Sequence, residues 1–139
     1  MNKKIIMKLF NLIKKTEKID DFPVSAVIYK DNKVVATGYN KRNKSNDVTD
    51  HAEIVAIRRA NKKINNWNLQ GYNMIVTLEP CHMCEQVIKE ARLDNVYYII
   101  SRNEAKKPYK NTVIKKCECD SELTAKYMTK ITSFFKNKR

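Results

Sequence analysis

His51-Ala52-Glu53 and, thirty residues after His51, Pro80-Cys81-His82-Met83-Cys84 constrain this chain more than any other feature. One histidine and two cysteines are zinc-type ligands. To serve a single ion, two segments distant in sequence must meet at one point. Cys81 and Cys84 are three residues apart, so on a helix both sulfurs lie on one face. Three protein ligands leave one position of a tetrahedral zinc open, which is the arrangement of a catalytic site. That position suits a water whose pKa the metal lowers towards neutrality. Glu53, two residues after His51 and not a ligand, is the group to move protons to and from that water. A CxxC pair alone also fits a redox couple or half a zinc ribbon; the added H-x-E narrows the choice. His82 points about 100° away from Cys81 on a helix and is not counted as a ligand.

The remaining composition suits a single domain over residues 1–139, long enough to bury a core without disulfide staples. No apolar run approaches the roughly 18 residues of a membrane span. The basic N-terminus lacks the long apolar stretch and cleavage site of a signal peptide. Cys117 and Cys119 are too close to bridge within one strand, so a reducing, cytoplasmic setting is expected. With only two glycines, Gly38 and Gly71, neither a dinucleotide loop nor a P-loop can form. The formal charge is +13, from 28 basic and 15 acidic residues. Such a balance on a small domain points to a polyanionic partner.

Ile5, Ile6, Leu9, Phe10 and Ile13 have helical spacing and predict a first helix ending near Lys18. Pro23–Tyr29 and Val34–Tyr39 read as strands joined by a turn at Asp31-Asn32. Residues 40–49 read as a loop. A helix begins at Asp50 or His51, with Asp50 as N-cap and Glu53 three residues on as in a capping box. Asn73–Thr77 is a strand, and Pro80 opens the helix that carries the cysteines. Val96–Ile100 is apolar without alternation and reads as a strand buried on both faces. Thr112–Lys116 reads as a further strand, and a last helix starts near Ser121. Trp67, Tyr97 and Tyr98 read as core. Helices alternating with strands imply a layered sheet covered on both sides. The sheet has about five strands. Both ligand-bearing segments fall at helix N-termini, where the backbone dipole favours thiolate.

The chain resembles the cytidine deaminase superfold and, within it, the bacterial tRNA adenosine deaminases. The resemblance rests on Phe22-Pro23-Val24-Ser25-Ala26-Val27-Ile28, Gly38-Tyr39-Asn40, His51-Ala52-Glu53-Ile54, Thr77-Leu78-Glu79-Pro80-Cys81-His82-Met83-Cys84, and Phe134-Phe135-Lys136-Asn137-Lys138-Arg139. It implies an α/β protein with a three-layer α/β/α fold and a mixed central sheet. It implies one zinc per subunit on His51, Cys81 and Cys84, with Glu53 as proton shuttle. Asn40 matches an asparagine that hydrogen-bonds the target base, and Phe135 and Arg139 become RNA contacts on a C-terminal helix. Lys106 and Lys107, near the expected mouth of the site, join them. The implied substrate is the wobble adenosine of a tRNA anticodon stem-loop, converted to inosine, and the implied assembly is a homodimer.

Three departures from the family pattern stand out. Ser25 sits where glycine is usual, and Asp50 where a small residue is common. The Ser101–Thr112 segment is about ten residues shorter than usual and lacks the small, Gly-rich stretch expected there. Two other functions fit some of the same features. A deaminase of a free base or nucleotide (guanine, cytosine or deoxycytidylate) shares the metal chemistry but has no use for the charge. A non-catalytic zinc module would need a fourth ligand, and none has suitable spacing.

Overall fold

The computed structural model describes residues 2–102 and 112–137. They fall in two compact units, Met1–Ala105 and Lys106–Arg139, taken separately below.

The first unit is built on a sheet of four strands, β1 (Ser25–Lys30), β2 (Lys33–Tyr39), β3 (Asn73–Leu78) and β4 (Asn95–Ile100), in the order β2-β1-β3-β4. β1 is antiparallel to both β2 and β3, and β3 is parallel to β4, so the sheet is mixed. The hairpin between β1 and β2 turns on Asp31 and Asn32, both with positive φ. Such left-handed pairs match the twist of two tightly joined strands, which is why Asp and Asn serve there.

Helices cover both faces. α1 (Lys3–Lys18) starts where the Asn2 side chain accepts the Lys4 N–H at 2.8 Å. Its Ile5, Leu9 and Leu12 pack on Val27, Tyr29 and Ile75 of one face. The alternate residues Ala26, Ile28, Met74 and Val76 look the other way. They meet Ala52, Ala56, Ile57 and Ala60 of α3 (Ala52–Ile64) and Ile88 and Ala91 of α4 (His82–Ala91). This period of two across β1 and β3 produces the expected α/β/α layering. Gly38 makes the α3 contact possible. A Cβ there would stand 2.3 Å from the Ala52 carbonyl oxygen and 2.7 Å from the Ala56 nitrogen, both backbone atoms.

Ser25 is fully buried. Its hydroxyl donates to the Leu9 carbonyl at 2.6 Å, so the side chain ties β1 to the middle of α1.

Several expectations are corrected. The described residues give four strands, not about five, because residues 112–116 carry no strand pairing. β4 is not buried on both faces: Tyr97, Tyr98, Ile99 and Ile100 are all exposed. Among the described residues it is an edge strand, paired with β3 on one side. Trp67 is exposed as well, with the Arg92 guanidinium 5.1 Å from its ring centre. Residues 42–45 of the expected loop form a short helix, α2 (Arg42–Ser45), closed by Asn46 in the left-handed region.

The second unit carries α5 (Ser121–Asn137), which starts as expected. The Asp120 carboxylate accepts the Glu122 N–H at 2.7 Å and caps it. Tyr127, Met128, Phe134 and Phe135 are exposed, and the two phenylalanine rings meet edge to face at 5.5 Å. Cys117 and Cys119 are free and exposed.

Candidate metal centre

His51 is the N-cap of α3 and Cys81 the N-cap of α4. Both have extended backbone and neither uses its side chain to cap. Their side chains are therefore released from local duty and aim at a shared point. Asp50 is not the N-cap, and Pro80 stands just before the helix that it was expected to open. Cys84 lies in the first turn of α4, where free N–H groups and the helix dipole favour a thiolate.

The three ligand atoms lie within 4.8 Å of one another. Cys84 Sγ is 3.4 Å and Cys81 Sγ 3.7 Å from His51 Nδ1. Zinc bonds of about 2.05 Å to nitrogen and 2.3 Å to sulfur at tetrahedral angles put such ligand pairs about 3.6 Å apart. Both nitrogen–sulfur separations thus match a zinc site with Nδ1 as the histidine ligand. His82 is exposed, in keeping with its exclusion.

The protons in the cluster tell the same story. The Cys84 thiol donates to Cys81, and that bond chiefly holds the Cys81 thiol down to about 3. The same bond, then burial and the Glu53 carboxylate, drives the Cys84 thiol far up. Cys81, Glu53 and burial together hold a proton on Cys84, and a bound cation would have to displace it. Glu53 is buried, and burial raises its pKa above the usual carboxylate range. Hydrogen bonds from its own backbone N–H and from Cys84 pull part of the way back. A carboxyl raised in this way holds its proton more readily than a solvated one, which suits a group that passes protons.

Asn40 is buried and bonded to the residue that follows the ligand His51. Its Oδ1 accepts the Ala52 N–H at 2.8 Å, capping the first turn of α3. That bond commits the acceptor end of the amide and leaves the Nδ2 donor for another partner. Phe135 stands exposed on α5. Lys106, Lys107 and Arg139 lie outside the described residues.

Two supporting networks escaped the sequence reading. The Asp50 carboxylate accepts from Ser45 Oγ at 2.6 Å and from Arg58, whose other nitrogen donates to Thr49 Oγ1 at 2.6 Å. The signal was present, since Asp50 departs from the family pattern. The Ser45 hydrogen bond, first among the causes, lowers the Asp50 pKa. On the other flank, Glu79 accepts the Arg102 N–H at 3.1 Å, while Arg102 Nε donates to the Glu79 carbonyl at 3.1 Å. This clamp steadies the residues that lead into Pro80-Cys81, and nothing in the sequence alone marks it.

A model of the cytidine and deoxycytidylate deaminase zinc-binding region matches residues 1–100. The chain belongs to this family. Its chemistry is hydrolytic and zinc-dependent, and the zinc deaminase cluster is the one assembled here. The tRNA-specific adenosine deaminase of Buchnera aphidicola (Schizaphis graminum) is 32% identical over 130 residues, 88% of this chain and 86% of that one. Against the streptococcal enzymes of the same name the match spans about half their length. A solved structure of a tRNA:A34 deaminase, from work on A-to-I editing at the wobble position, superposes with a TM-score of 0.69 and 34% identity. It covers 71% of this chain and 76% of its own. The guanine deaminase of Bacillus subtilis superposes with a TM-score of 0.76 and 27% identity, over 95% of both chains. Among the described residues of this zinc deaminase, no helix is long and apolar enough to cross a membrane.

Proposed function

We propose that this zinc deaminase converts the wobble adenosine of a tRNA anticodon to inosine, as a cytoplasmic homodimer. The observation that carries the proposal is the pairing of a zinc-type ligand cluster with a buried Glu53, its pKa raised by burial, in a chain whose relative over 86% of that relative's length is a tRNA-specific adenosine deaminase. Zinc bound at the cluster supplies a Lewis acid and an activated water. Glu53 would hold the exchanged proton on its carboxylate and hand it to a ring nitrogen of the base. A later transfer through Glu53 serves the departing amine, so that water and adenosine give inosine and ammonia. Asn40 donates from Nδ2 to an acceptor on the base and so selects which ring can lie against Glu53. Phe135, Arg139, Lys106 and Lys107 contact the RNA, and exposure of the Phe135 ring suits stacking. The charge of +13 attracts the phosphate backbone.

A second reading, deamination of free guanine, is favoured by the guanine deaminase likeness over 95% of the chain. One assay separates them. The protein is incubated with an anticodon stem-loop bearing a wobble adenosine and, in parallel, with guanine, cytidine and adenosine. Inosine from the stem-loop supports the proposal. Turnover of guanine with an inert stem-loop replaces it by the second reading.

A further inference from the structure

Beside the metal loop lies a second concavity that the deamination chemistry does not use. It has a volume of about 190 Å³ and is lined by Lys41, Asp50, Val55, Arg58, Arg59 and Lys62. Four of these are cations and one is an acid. Asp50 is committed to Arg58 and Ser45. Among the described residues no carboxylate forms an ion pair with Lys41, Arg59 or Lys62. Arg59 makes one hydrogen bond, to the Thr37 carbonyl at 3.1 Å, which steadies its guanidinium. Arg58 is held from two sides by Asp50 and Thr49.

Like charges at helical spacing, as in Arg58 with Lys62 and Arg59 with Lys62, destabilise a helix. A fold that gathers them around one hollow, and orients the two guanidinium groups, suits an anion that offsets their repulsion. The place is informative too. Lys41 follows Asn40 directly, and its N–H donates to the Asp50 carbonyl at 3.1 Å. Asp50 precedes the metal ligand His51. The hollow therefore flanks the very loops that hold the base-contacting amide and the metal.

We infer that this cleft seats a backbone phosphate of a single-stranded RNA whose neighbouring nucleotide enters the metal site. Lys41, Arg59 and Lys62 supply the charge, and Arg58 closes the wall. The inference rests on the RNA part of the proposed function and not on adenosine as the reacting base. Phosphate recognition is blind to sequence, so the cleft also engages an RNA that cannot be deaminated to inosine.

The test is the salt dependence of binding to a dodecamer of uridine, by fluorescence anisotropy. Each phosphate contact on a single strand contributes about 0.7 to the slope of log affinity against log salt. Lys41→Ala with Lys62→Ala is expected to flatten the slope by about 0.7, the share of the one seated phosphate, and to weaken binding at low salt. Zinc content and circular dichroism of the variant are checked to match the parent. A control, Lys8→Ala with Lys14→Ala, removes the same charge from exposed positions of α1 and is expected to leave the slope within about 0.3. Equal flattening by both pairs, an unchanged slope in the cleft variant, or no binding of the dodecamer by the parent would overturn the phosphate seat. If the parent binds the dodecamer through the cleft yet fails on the wobble stem-loop, the adenosine reading falls and the seat stands.

Discussion

At the scale of single residues, Asn40 and Glu53 divide the work by the partners that they already have. Glu53 is no ligand, so Glu53→Ala is expected to keep its zinc while activity falls by at least about 10²-fold, the scale of general acid–base catalysis. Metal analysis beside an inosine assay checks both halves. Asn40 has a structural bond at Oδ1 and a free-standing donor at Nδ2, and two variants tell these apart. Asn40→Asp keeps an acceptor for the Ala52 N–H and removes the donor. It is expected to melt like the parent while kcat/KM falls by the equivalent of about 1–3 kcal/mol. Asn40→Ala is expected to lose that and some melting temperature as well. Full activity in Asn40→Asp would show that the base never takes a hydrogen bond from this amide. The ligand residues and Glu53 were legible because metal chemistry accepts few residue types at few spacings. The committed Oδ1 was not legible, because it depends on where a strand end meets a helix start twelve residues away.

Among elements, the longer helices were readable from apolar spacing and the β1–β2 hairpin from its Asp-Asn turn, while the four-residue α2 was not. β4 was misread for a physical reason. A continuous apolar run signals burial on both faces, yet sheet order decides which strand has neighbours, and order is not local information. Asp50 was misread as a cap because Asp is a good N-cap in general; here the helix begins one residue later and the carboxylate turns back to Arg58. β2 meets α3 in close backbone contact at Gly38. Gly38→Ala would place a methyl group against backbone that cannot swing aside, and it is expected to cost about 1–3 kcal/mol or more. Thermal melting reads the loss. Because Asn40 follows Gly38 by two residues, the same variant is expected to lose activity beyond its loss of stability. A melting temperature equal to that of the parent would mean that the joint can open without cost.

Over the whole molecule, the layering was legible from alternating elements, while the sheet of four strands among the described residues was not. The charge of +13 is a property of this scale, and it predicts that stem-loop binding weakens steeply between 50 and 200 mM salt, by roughly 10³-fold or more if about six phosphates are engaged. An affinity insensitive to salt would contradict it. One feature of the metal centre also acts at this scale. His51 and the cysteines stand at the beginnings of two different helices, thirty residues of chain apart at the nearest pair. An ion bound there ties a closed loop, as a disulfide does. By the entropy relation for such loops, denying the unfolded chain that freedom favours the folded state by about 3.5 kcal/mol. The catalytic ion is then also a crosslink. Chelation is expected to lower the melting temperature of the Glu53→Ala protein as much as that of the parent, although the variant has no catalysis left to lose. If the dead variant melted at one temperature with and without its metal, the ion would be a reagent only and no part of the scaffold.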